Sequence, residues 1–359
     1  MTPDATAQTR LVQPGPPHHL AYKAIGAGLF GLNRIRYAVR GYRDPRPFPA
    51  ADFERAAEYD LAVIAAWLKF LEAWLGARPE LAGRSILELG PGADLGVGLA
   101  LLALGAERYS ALDVNPLVTS VPEEFYRMVL DRAAARWPGS EAASSAEARE
   151  ALLAEVRRAL SGAADPLAPA KAEAPATAEA PPGGTAPGTR PGPGGEVASG
   201  SAPPGTGRLR YLCRPDFDLT VFGRDSIDLV VSHAALEHFD APEETFRQLR
   251  EIVRPGGLLV AQVDLQTHTR WIRDRDPLNI YRLSDRFYQG WRFRGAPNRI
   301  RPAEYERMLR EAGWSDARAL PDLVLPAEYA RRTTPHLAPR FRSAESRMEW
   351  LTFYLCARR

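Results

Sequence analysis

The sequence feature that most restricts the fold is a glycine-rich turn that follows a short apolar run. Residues 85–89 (SILEL) predict a buried strand, and Gly90-Pro91-Gly92 follow it directly, with Gly96 at the start of an apolar helical run. Glycine allows a sharp turn and lets a ligand approach the main chain, because no Cβ stands in the way. Since open parallel sheets bind ligands outside the carboxyl ends of their strands, the turn predicts a strand–loop–helix unit that holds a ligand.

Two acidic residues flank these glycines. Glu88 lies just before them and Asp94 just after them. An enzyme that uses a nicotinamide dinucleotide is expected to place a pyrophosphate at this helix start, and two carboxylates would repel it. They favour a cation, and the common cofactor with a sulfonium and an ammonium beside an adenosine is S-adenosylmethionine. A nicotinamide-dependent oxidoreductase is therefore the weaker interpretation.

A second predicted strand, residues 109–112, ends at Asp113, which lies 25 residues after Glu88. An acid at this point can accept hydrogen bonds from both hydroxyls of a ribose, and Val114 would then pack on the adenine. The alternative is an aspartate that only caps a strand–helix turn, since an Asn-Pro pair follows. The glycine loop before it favours ribose binding.

Strand-like and helical patterns alternate along the rest of the chain. Strands are predicted at 209–213, 227–232, 258–264 and 350–357, and helices at 20–40, 51–75, 141–160, 242–253 and 302–312. Such alternation favours a sheet that is covered by helices on both faces. The predicted fold is α/β, a doubly wound, Rossmann-like, seven-stranded and mostly parallel sheet with an antiparallel last strand.

Two stretches contain too few large apolar residues to fold by themselves. One is the N-terminal tail, and the other is residues 163–207, where 31 of 45 residues are Ala, Pro or Gly. The second stretch is predicted to be a flexible insertion or a docking tail for a partner. The predicted organisation is a disordered tail (1–19), an N-terminal helical cap (20–78), a core in two parts (79–138 and 208–265) split by a flexible insertion (139–207), and a substrate-side segment with the last strands of the core (266–359).

The overall composition excludes several classes of protein. A net charge of +2 in 359 residues gives no general reason to expect a nucleic-acid partner. Two cysteines exclude a disulfide framework, and the six histidines show no zinc-ligand spacing, so no metal is expected. The N-terminal residues lack a signal-peptide pattern and no apolar run is long enough to span a membrane, so the expected location is cytoplasmic. The composition does not indicate an oligomeric state.

Four spaced motifs resemble class I S-adenosylmethionine-dependent methyltransferases, in particular bacterial enzymes of the type 11 kind. The motifs are ELGPGADLG from Glu88, YSALDVN from Tyr109, IDLVVSHAALEHF from Ile227 and LREIVRPGGLLVAQVDL from Leu249. The last is the most specific, because it joins a helix, an Arg-Pro-Gly-Gly turn and an apolar strand. The resemblance covers roughly residues 50–138 and 208–315.

The resemblance also implies roles for individual residues around the cofactor. Gly90 and Gly92 would line its methionine part, with Pro91 between them, and Glu88 would lie near its ammonium beside Asp94. Asp113 and Val114 would hold the ribose and the adenine. The family interval places an adenine-binding acid at Asp216, with Asp218 as a rival, and Phe217 beside it. Ser232 and His233 would flank the methionine end.

Methyl transfer to oxygen or nitrogen also requires a base, because the sulfonium is already an activated leaving group. The candidate catalytic residues follow the fourth and fifth strands of the family motifs, namely Glu237, His238 and His268. His238 is equally well explained as a structural histidine. The roles of these three residues are predictions from position alone.

The region after the fifth family strand is basic. Residues 270–310 contain 11 Arg and 5 Asp or Glu, and Arg282, Arg299 and Arg301 are the candidates for binding an anionic acceptor. The alternative is a solvated surface that is simply rich in arginine. Aromatic residues interleave with these arginines, and they are consistent with sugar stacking or with an ordinary core.

The expected activity is methyl transfer from S-adenosylmethionine to a small molecule, such as an anionic sugar or a secondary metabolite. The alternatives are a non-catalytic S-adenosylmethionine-binding protein and a methyltransferase that acts on RNA or protein. The basic, apolar helix at 20–40 is interpreted as a lid over the site, with a peripheral membrane contact as the alternative.

Overall fold

A computed structural model describes residues 9–41, 49–118, 121–138, 145–163 and 207–359. Its centre is one eight-stranded sheet in the order β1-β7-β8-β6-β5-β2-β3-β4. The strands are β1 (Arg10–Leu11), β2 (Ser85–Leu89), β3 (Arg108–Asp113), β4 (Leu209–Cys213), β5 (Ile227–His233), β6 (Val253–Asp264), β7 (Ser315–Val324) and β8 (Trp350–Arg358). Only the pairs of β8 with β6 and with β7 are antiparallel. The predicted antiparallel last strand is thus confirmed.

Helices cover this sheet. They are α1 (His19–Arg40), α2 (Phe53–Leu75), α3 (Gly96–Ala103), α4 (Glu123–Arg136), α5 (Ala146–Ala163), α6 (Pro242–Ile252), α7 (Arg270–Arg273), α8 (Asp285–Trp291), α9 (Pro302–Glu311) and α10 (Ala327–Thr333). Two apolar clusters lie on the sheet, one including α2, α3, α4 and α5 and the other including α6 and α9. Within the described residues, no helix combines the length and the apolar character that crossing a bilayer requires.

The order in which the chain adds strands to the sheet reverses at β2. This reversal leaves a crevice at the carboxyl ends of the neighbouring strands. From β2 the chain continues to β3 on one side, while β5 lies on the other side. Leu89 pairs with Leu112 in β3 and with Ser232 in β5, so the three strands end side by side. This is the topological switch point at which open α/β sheets bind ligands.

The sheet has eight strands where seven were predicted, and the additional strand comes from the supposed tail. Arg10–Leu11 pair in parallel with the end of β7, and the Arg10 guanidinium contacts the Asp322 carboxylate at 2.6 Å. The structure therefore differs from the prediction that all of residues 1–19 are disordered. Residues 1–8 of that tail lie outside the described residues.

The position of β7 was not predicted from the sequence, although the seven-stranded fold and the last strands expected within 266–359 require such a strand. Its residues (SDARALPDLV) lack a clear apolar alternation and include Pro321. A proline removes one ladder donor and is tolerated where one side of a strand is free. Along most of its length β7 has only β8 as a neighbour, since β1 pairs with Leu323 and Val324 alone.

The structure also moves two predicted domain boundaries. Helix α2, assigned to the N-terminal cap at 20–78, packs on the sheet, and its Phe70 ring stacks on Tyr354 at 3.9 Å. Helix α5 lies inside the predicted flexible insertion at 139–207, yet Leu152, Leu153 and Val156 are buried against the core. Helical periodicity had indicated α5. Residues 164–206 of the insertion lie outside the described residues.

Candidate functional site

The glycine loop after β2 has a backbone that only glycine adopts easily. Gly90 has φ +70° and Gly92 has φ +83°, both in the left-handed region. A Cβ on Gly90 would lie 2.7 Å from the Cβ of Ala235, which follows β5. The Gly90 amide donates to the Leu112 carbonyl at 2.9 Å, so the loop is fixed to β3. The main chain from Gly90 to Gly92 is therefore held at the crevice between β3 and the turn after β5.

Three carboxyl groups lie together behind this loop. Glu88 is 3% exposed and accepts a hydrogen bond from the Tyr109 hydroxyl at 2.5 Å. Burial raises the pKa of Glu88 to about 8, against the Tyr109 hydrogen bond, which lowers it. Burial also raises the pKa of Asp94, although the Gly96 amide donates to its Oδ1 at 2.9 Å. The cluster thus contains more acid than the described cations nearby can neutralise.

The third acid, Asp60, was missed by the sequence reasoning. It projects from α2, is 5% exposed, and its Oδ2 has no hydrogen-bond partner among the described residues. Burial, followed by the charges of Asp94 and Glu88, raises its pKa well above the ordinary value. A Cβ on Gly96 would lie 2.0 Å from Asp60 Oδ2, so glycine is required at the start of α3. The available signal was an acid on the otherwise apolar face of α2.

Asp113 ends β3 as predicted, next to the loop. It is 7% exposed, and its Oδ1 accepts from the Asn115 amide at 2.8 Å. Burial raises the pKa of Asp113 to about 6, while the amides of Asn115 and Val114 and the Arg294 charge oppose that rise. The capping role that the sequence left open is therefore present. This cap uses one carboxylate oxygen of Asp113. Ribose binding through the other oxygen stays a prediction.

The structure does not place Asp216 as an adenine ligand. The Asp216 carboxylate is exposed and forms a two-point contact with the Arg214 guanidinium at 3.0 and 2.8 Å. Its rival Asp218 caps the following turn by accepting from the Thr220 amide. Phe217 has φ +50° and packs edge-on against Phe239 at 4.8 Å. Of this predicted group, Phe217 alone faces an apolar neighbour that follows β5.

Ser232 and His233 lie at the end of β5, but only one of them has free polar atoms. The Ser232 hydroxyl donates to the Leu89 carbonyl at 3.0 Å, and the Ser232 carbonyl accepts from Trp67 Nε1. Ser232 therefore links two strands. His233 Nδ1 is shielded from solvent without a partner, and burial lowers the pKa of His233 to about 4, so this ring is neutral at pH 7.

The three candidate catalytic residues do come together. A carboxylate oxygen of Glu237, His238 and His268 each contribute one ligand-type atom, and these atoms lie within 4.8 Å of one another. The distance from His268 Nε2 to Glu237 Oε1 is 3.8 Å, and both Glu237 oxygens lack a hydrogen-bond partner among the described residues. Glu237 is 1% exposed. A carboxylate buried in this way requires a neighbouring cation or a bound ligand.

The two histidines of this cluster titrate in opposite directions. Burial lowers the pKa of His238. For His268, burial lowers the pKa, but the nearby Glu237 carboxylate and the charge of Asp264 outweigh it, so its pKa is raised. Asp264 itself is paired with Arg273 at 2.6 Å. The Glu237 carboxylate therefore favours the protonated form of His268 over the protonated form of His238.

The three arginines proposed to bind an anionic acceptor are structural instead. Each is 2% exposed. Arg282 forms a two-point, fully buried pair with Asp276 at 2.7 and 3.0 Å. Arg299 donates to the carbonyls of Ile280 and Leu283, and Arg301 donates to three main-chain carbonyls from Ser346 to Trp350. Apart from the buried Arg299 Nε, the donors described here point to groups of the protein itself, and all three side chains are buried, so the fold itself uses the arginines that were predicted to bind an anion.

The crevice fits a cationic cofactor better than an anionic one. Glycine at position 90 lets the loop pack closely against Ala235, and the three acids behind the loop include an oxygen on Asp60 without a partner among the described residues. A sulfonium and an ammonium would compensate these acids, whereas a pyrophosphate would be repelled by them. The residues that the sequence singled out in the loop, Glu88, Gly90, Gly92 and Asp94, are all at this place.

Comparison with known proteins agrees with this geometry. A family model described as a methyltransferase domain matches residues 56–318, which is more than half of the chain. The chain is similar to a solved S-adenosylmethionine-dependent methyltransferase from Mesorhizobium loti, with 16% identity, 80% of this chain and 96% of that chain covered, and a TM-score of 0.36.

Two further solved structures are similar at a comparable level. The CurJ carbon methyltransferase has 14% identity, with 95% of this chain and 68% of that chain covered and a TM-score of 0.39. Phosphoethanolamine N-methyltransferase 2 of Haemonchus contortus has 12% identity, with 97% and 62% covered and a TM-score of 0.38. No curated protein matches the chain. Because the family model spans both halves of the core, the chain belongs to the methyltransferase domain family, in the class that uses S-adenosylmethionine as its cofactor.

Proposed function

We propose that the chain transfers the methyl group of S-adenosylmethionine to an oxygen or nitrogen atom of a small molecule, with His268 as the general base. The observation that carries this proposal is the pairing of His268 with the buried and otherwise unpartnered Glu237, 3.8 Å away, at the carboxyl ends of β5 and β6. Such a carboxylate–imidazole pair is the usual arrangement for accepting a proton near neutral pH.

The cofactor would be held by groups on both sides of the switch point. The backbone of Gly90 and Gly92 would line its methionine part, and Glu88, Asp94 and Asp60 would balance its positive charges. Asp113 would bind the ribose through the oxygen that the turn leaves free. When bound, the cofactor supplies a methyl group on an activated sulfonium, so the protein has to orient the acceptor and remove its proton.

A general base has to be oriented and has to accept a proton, and His268 has one ring nitrogen for each of these tasks. Nε2 faces Glu237, while Nδ1 is shielded and has no partner in the described part of the chain. A neutral His268 with its proton on Nε2 would be oriented by Glu237 and would accept the acceptor's proton at Nδ1. The negative charge of Glu237 then stabilises the imidazolium that forms. Glu237 acts in this proposal as a positioning residue.

The acceptor class follows from what surrounds this pair. His268 lies in the segment after β6, and Gln266, Thr267, Asn279 and Tyr281 of the same segment are each at most 7% exposed. A cover of buried residues favours a small acceptor over an RNA or protein surface. With Arg282, Arg299 and Arg301 engaged inside the fold, an anionic sugar loses its supporting residues, so we propose a hydroxyl or amine acceptor without a required negative charge.

The test is a methyl-transfer assay by mass spectrometry with a panel of hydroxylated and aminated metabolites, followed by variants of the pair. We expect His268→Asn to lower kcat by about 10²–10⁴-fold, the range for a general base. His18→Asn, at an exposed histidine that is distant from His268 in the sequence, is the matched control and should leave kcat unchanged. A His268→Asn variant as active as the parent would exclude His268 as the base.

A non-catalytic binding protein remains the competing function, and the same assay separates the two. If the chain bound S-adenosylmethionine but turned over no acceptor in the panel at any pH, the result would favour that alternative. Turnover that disappears in Asp113→Ala together with cofactor binding would support the enzyme and its proposed ribose ligand.

A further inference from the structure

Helix α1 has two unlike faces, and the inner face is fixed to the segment that covers the site. Asn279 Nδ2 donates to the Tyr22 carbonyl at 2.8 Å, and Asn33 Nδ2 donates to Thr269 Oγ1 at 3.0 Å. The Phe30 ring stacks on Tyr288 at 4.7 Å. The lid interpretation accounts for this face and leaves the opposite face unexplained.

The opposite face of α1 is an exposed apolar stripe, here defined as Ile25, Leu32, Ile35 and Val39. These side chains are 51%, 59%, 59% and 78% exposed. At about 100° per residue they fall within an arc of about 80°, and they extend over about 21 Å of helix. Single exposed aliphatic residues are common on proteins, but a continuous stripe marks an interaction surface.

The charges of α1 are of one sign. The helix contains Lys23, Arg34, Arg36 and Arg40 and not a single Asp or Glu. On the helical wheel, Arg36 lies directly beside the stripe on the Ile25 side. Lys23 and Arg34 lie on the far side of the wheel, so Arg36 is the cation beside the stripe. An apolar stripe on a helix that carries cations and no acids is typical of a helix that lies in the interface of an anionic lipid surface.

One exposed tryptophan lies next to α1, and a second follows a residue that α1 contacts. Trp291 is 44% exposed, would contact a Cβ on Gly31 at 3.7 Å, and lies under the Arg34 guanidinium at 5.6 Å. Trp271 is 82% exposed and follows Thr269, the hydrogen-bond partner of Asn33, by two residues. Tryptophan rings are enriched at the level of lipid headgroups, because one part is apolar and the N–H is polar.

The charge pattern also distinguishes between a lipid surface and a second copy of the chain. Two α1 helices packed stripe to stripe would bring arginines together, and neither helix carries an acid to pair with them. Like charges brought together in this way oppose association. Phosphate groups of an anionic bilayer complement the same cations, so the lipid surface is the better fit.

We propose that the protein docks on anionic lipid surfaces through α1, with the apolar stripe in the acyl–headgroup boundary and Arg36 at the phosphates. Because the opposite, inner face of α1 contacts Asn279, Tyr288 and Thr269, docking places α1 between the lipid surface and the segment that covers the site. The proposal does not depend on the reaction that the site performs.

The experiment is co-sedimentation of the full chain with vesicles of phosphatidylcholine mixed with phosphatidylglycerol, and with phosphatidylcholine alone. Leu32→Gln/Ile35→Gln removes the stripe without adding charge and keeps a good helix former at each position. Arg36→Ala removes one bordering cation. Leu11→Gln and Arg307→Ala, at exposed positions outside α1, are the matched controls. Thermal unfolding checks that every variant is folded.

The parent chain should bind the anionic vesicles, bind phosphatidylcholine alone much more weakly, and be released by high salt. The stripe variant should bind at least about tenfold more weakly and Arg36→Ala about fivefold more weakly, with both controls unchanged. Absence of binding by the parent, or equal binding by the folded stripe variant, would overturn the proposal. So would a dimer in sedimentation velocity that the stripe variant abolishes, because it would identify a second copy as the occupant.

Discussion

Cofactor binding by this chain should release a proton, because Glu88 behind the glycine loop is mostly protonated at pH 7 without a cation beside it. Burial raises the pKa of Glu88 to about 8, and it also raises the pKa values of Asp60 and Asp94. A cation placed beside the cluster favours the ionised carboxylates and returns their pKa values toward the ordinary range. The released protons therefore report whether the cofactor's cations lie where the site geometry predicts.

The magnitude follows from the titration of Glu88 alone. A carboxyl with a pKa of about 8 is about 90% protonated at pH 7, whereas one at its ordinary value of 4.5 is almost fully ionised. Binding at pH 7 should thus release about 0.9 proton per cofactor from Glu88. At pH 9 the same group is already mostly ionised, so its release should fall to about 0.1 proton.

The assay is isothermal titration calorimetry with S-adenosylmethionine in several buffers that differ in ionisation enthalpy. The slope of observed enthalpy against buffer ionisation enthalpy gives the number of protons released. Glu88→Gln should lower that slope at pH 7 by about 0.9, since glutamine does not titrate. Glu107→Gln, at an exposed acid in the turn before β3, is the control and should leave the slope unchanged.

Two results would refute the reasoning. If the parent chain bound the cofactor at pH 7 with an enthalpy independent of the buffer, the cluster would not contact the cofactor's cations. If the slope were the same at pH 9 as at pH 7, the proton would come from a group other than Glu88. The second comparison needs only the parent chain, so it holds even if the variant fails to fold.

Four further outcomes are expected. In the cofactor-free chain, the raised pKa of Glu88 favours the fold at low pH, and this contribution is lost as pH rises from about 4.5 through about 8; urea unfolding should show a flatter pH dependence in Glu88→Gln. Gly90→Ala should lower cofactor affinity at least about tenfold, because it adds a 2.7 Å contact to a positive φ, while Gly223→Ala, at φ +77° in open space, should not change that affinity. Asp276→Asn should cost about 3–5 kcal/mol of unfolding free energy by leaving the Arg282 charge buried without its partner, and a loss below about 1 kcal/mol would contradict that role. Removing the Glu237 charge should lower the raised pKa at which the methyl-transfer rate increases, and an unchanged pH profile in Glu237→Gln would separate this carboxylate from the base.

Local sequence signals were sufficient for the loop and insufficient for its surroundings. Glu88, Gly90 and Asp94 lie in one short motif. The strand and the turn within that motif fix the positions of these residues relative to one another. Asp60 lies in another helix and reaches the cluster only because α2 packs on the same face of the sheet. A single acid on a buried helix face was the signal, but the residue it would contact depends on tertiary packing.

For the catalytic candidates, sequence position was enough to select the residues but not to predict the distances between them. Their place after β5 and β6 was enough to select Glu237 and His268, because neighbouring strands end at one edge of the sheet. Their mutual distance depends on the turn Leu236–His238 and on the segment after β6, which the sequence does not specify. Asp216 stays a prediction for the same reason, since a family interval gives a position in the chain and takes no account of the Arg214 contact nearby.

The buried arginines show why residue type alone misled the interpretation of the acceptor. In a chain where arginine greatly outnumbers lysine, an arginine says little about the ligand, and its partners decide its role. Arg299 donates to the carbonyls of Ile280 and Leu283, and Arg301 donates to carbonyls between Ser346 and Trp350, so together they hold two separate segments. Those carbonyls would otherwise be buried without donors, and the forked guanidinium reaches two or three of them at once, which a lysine ammonium does less well. These cations therefore act on the acceptor only through the shape of the cover that they hold together, and substitutions there should change the folded stability before they change any preference for charge.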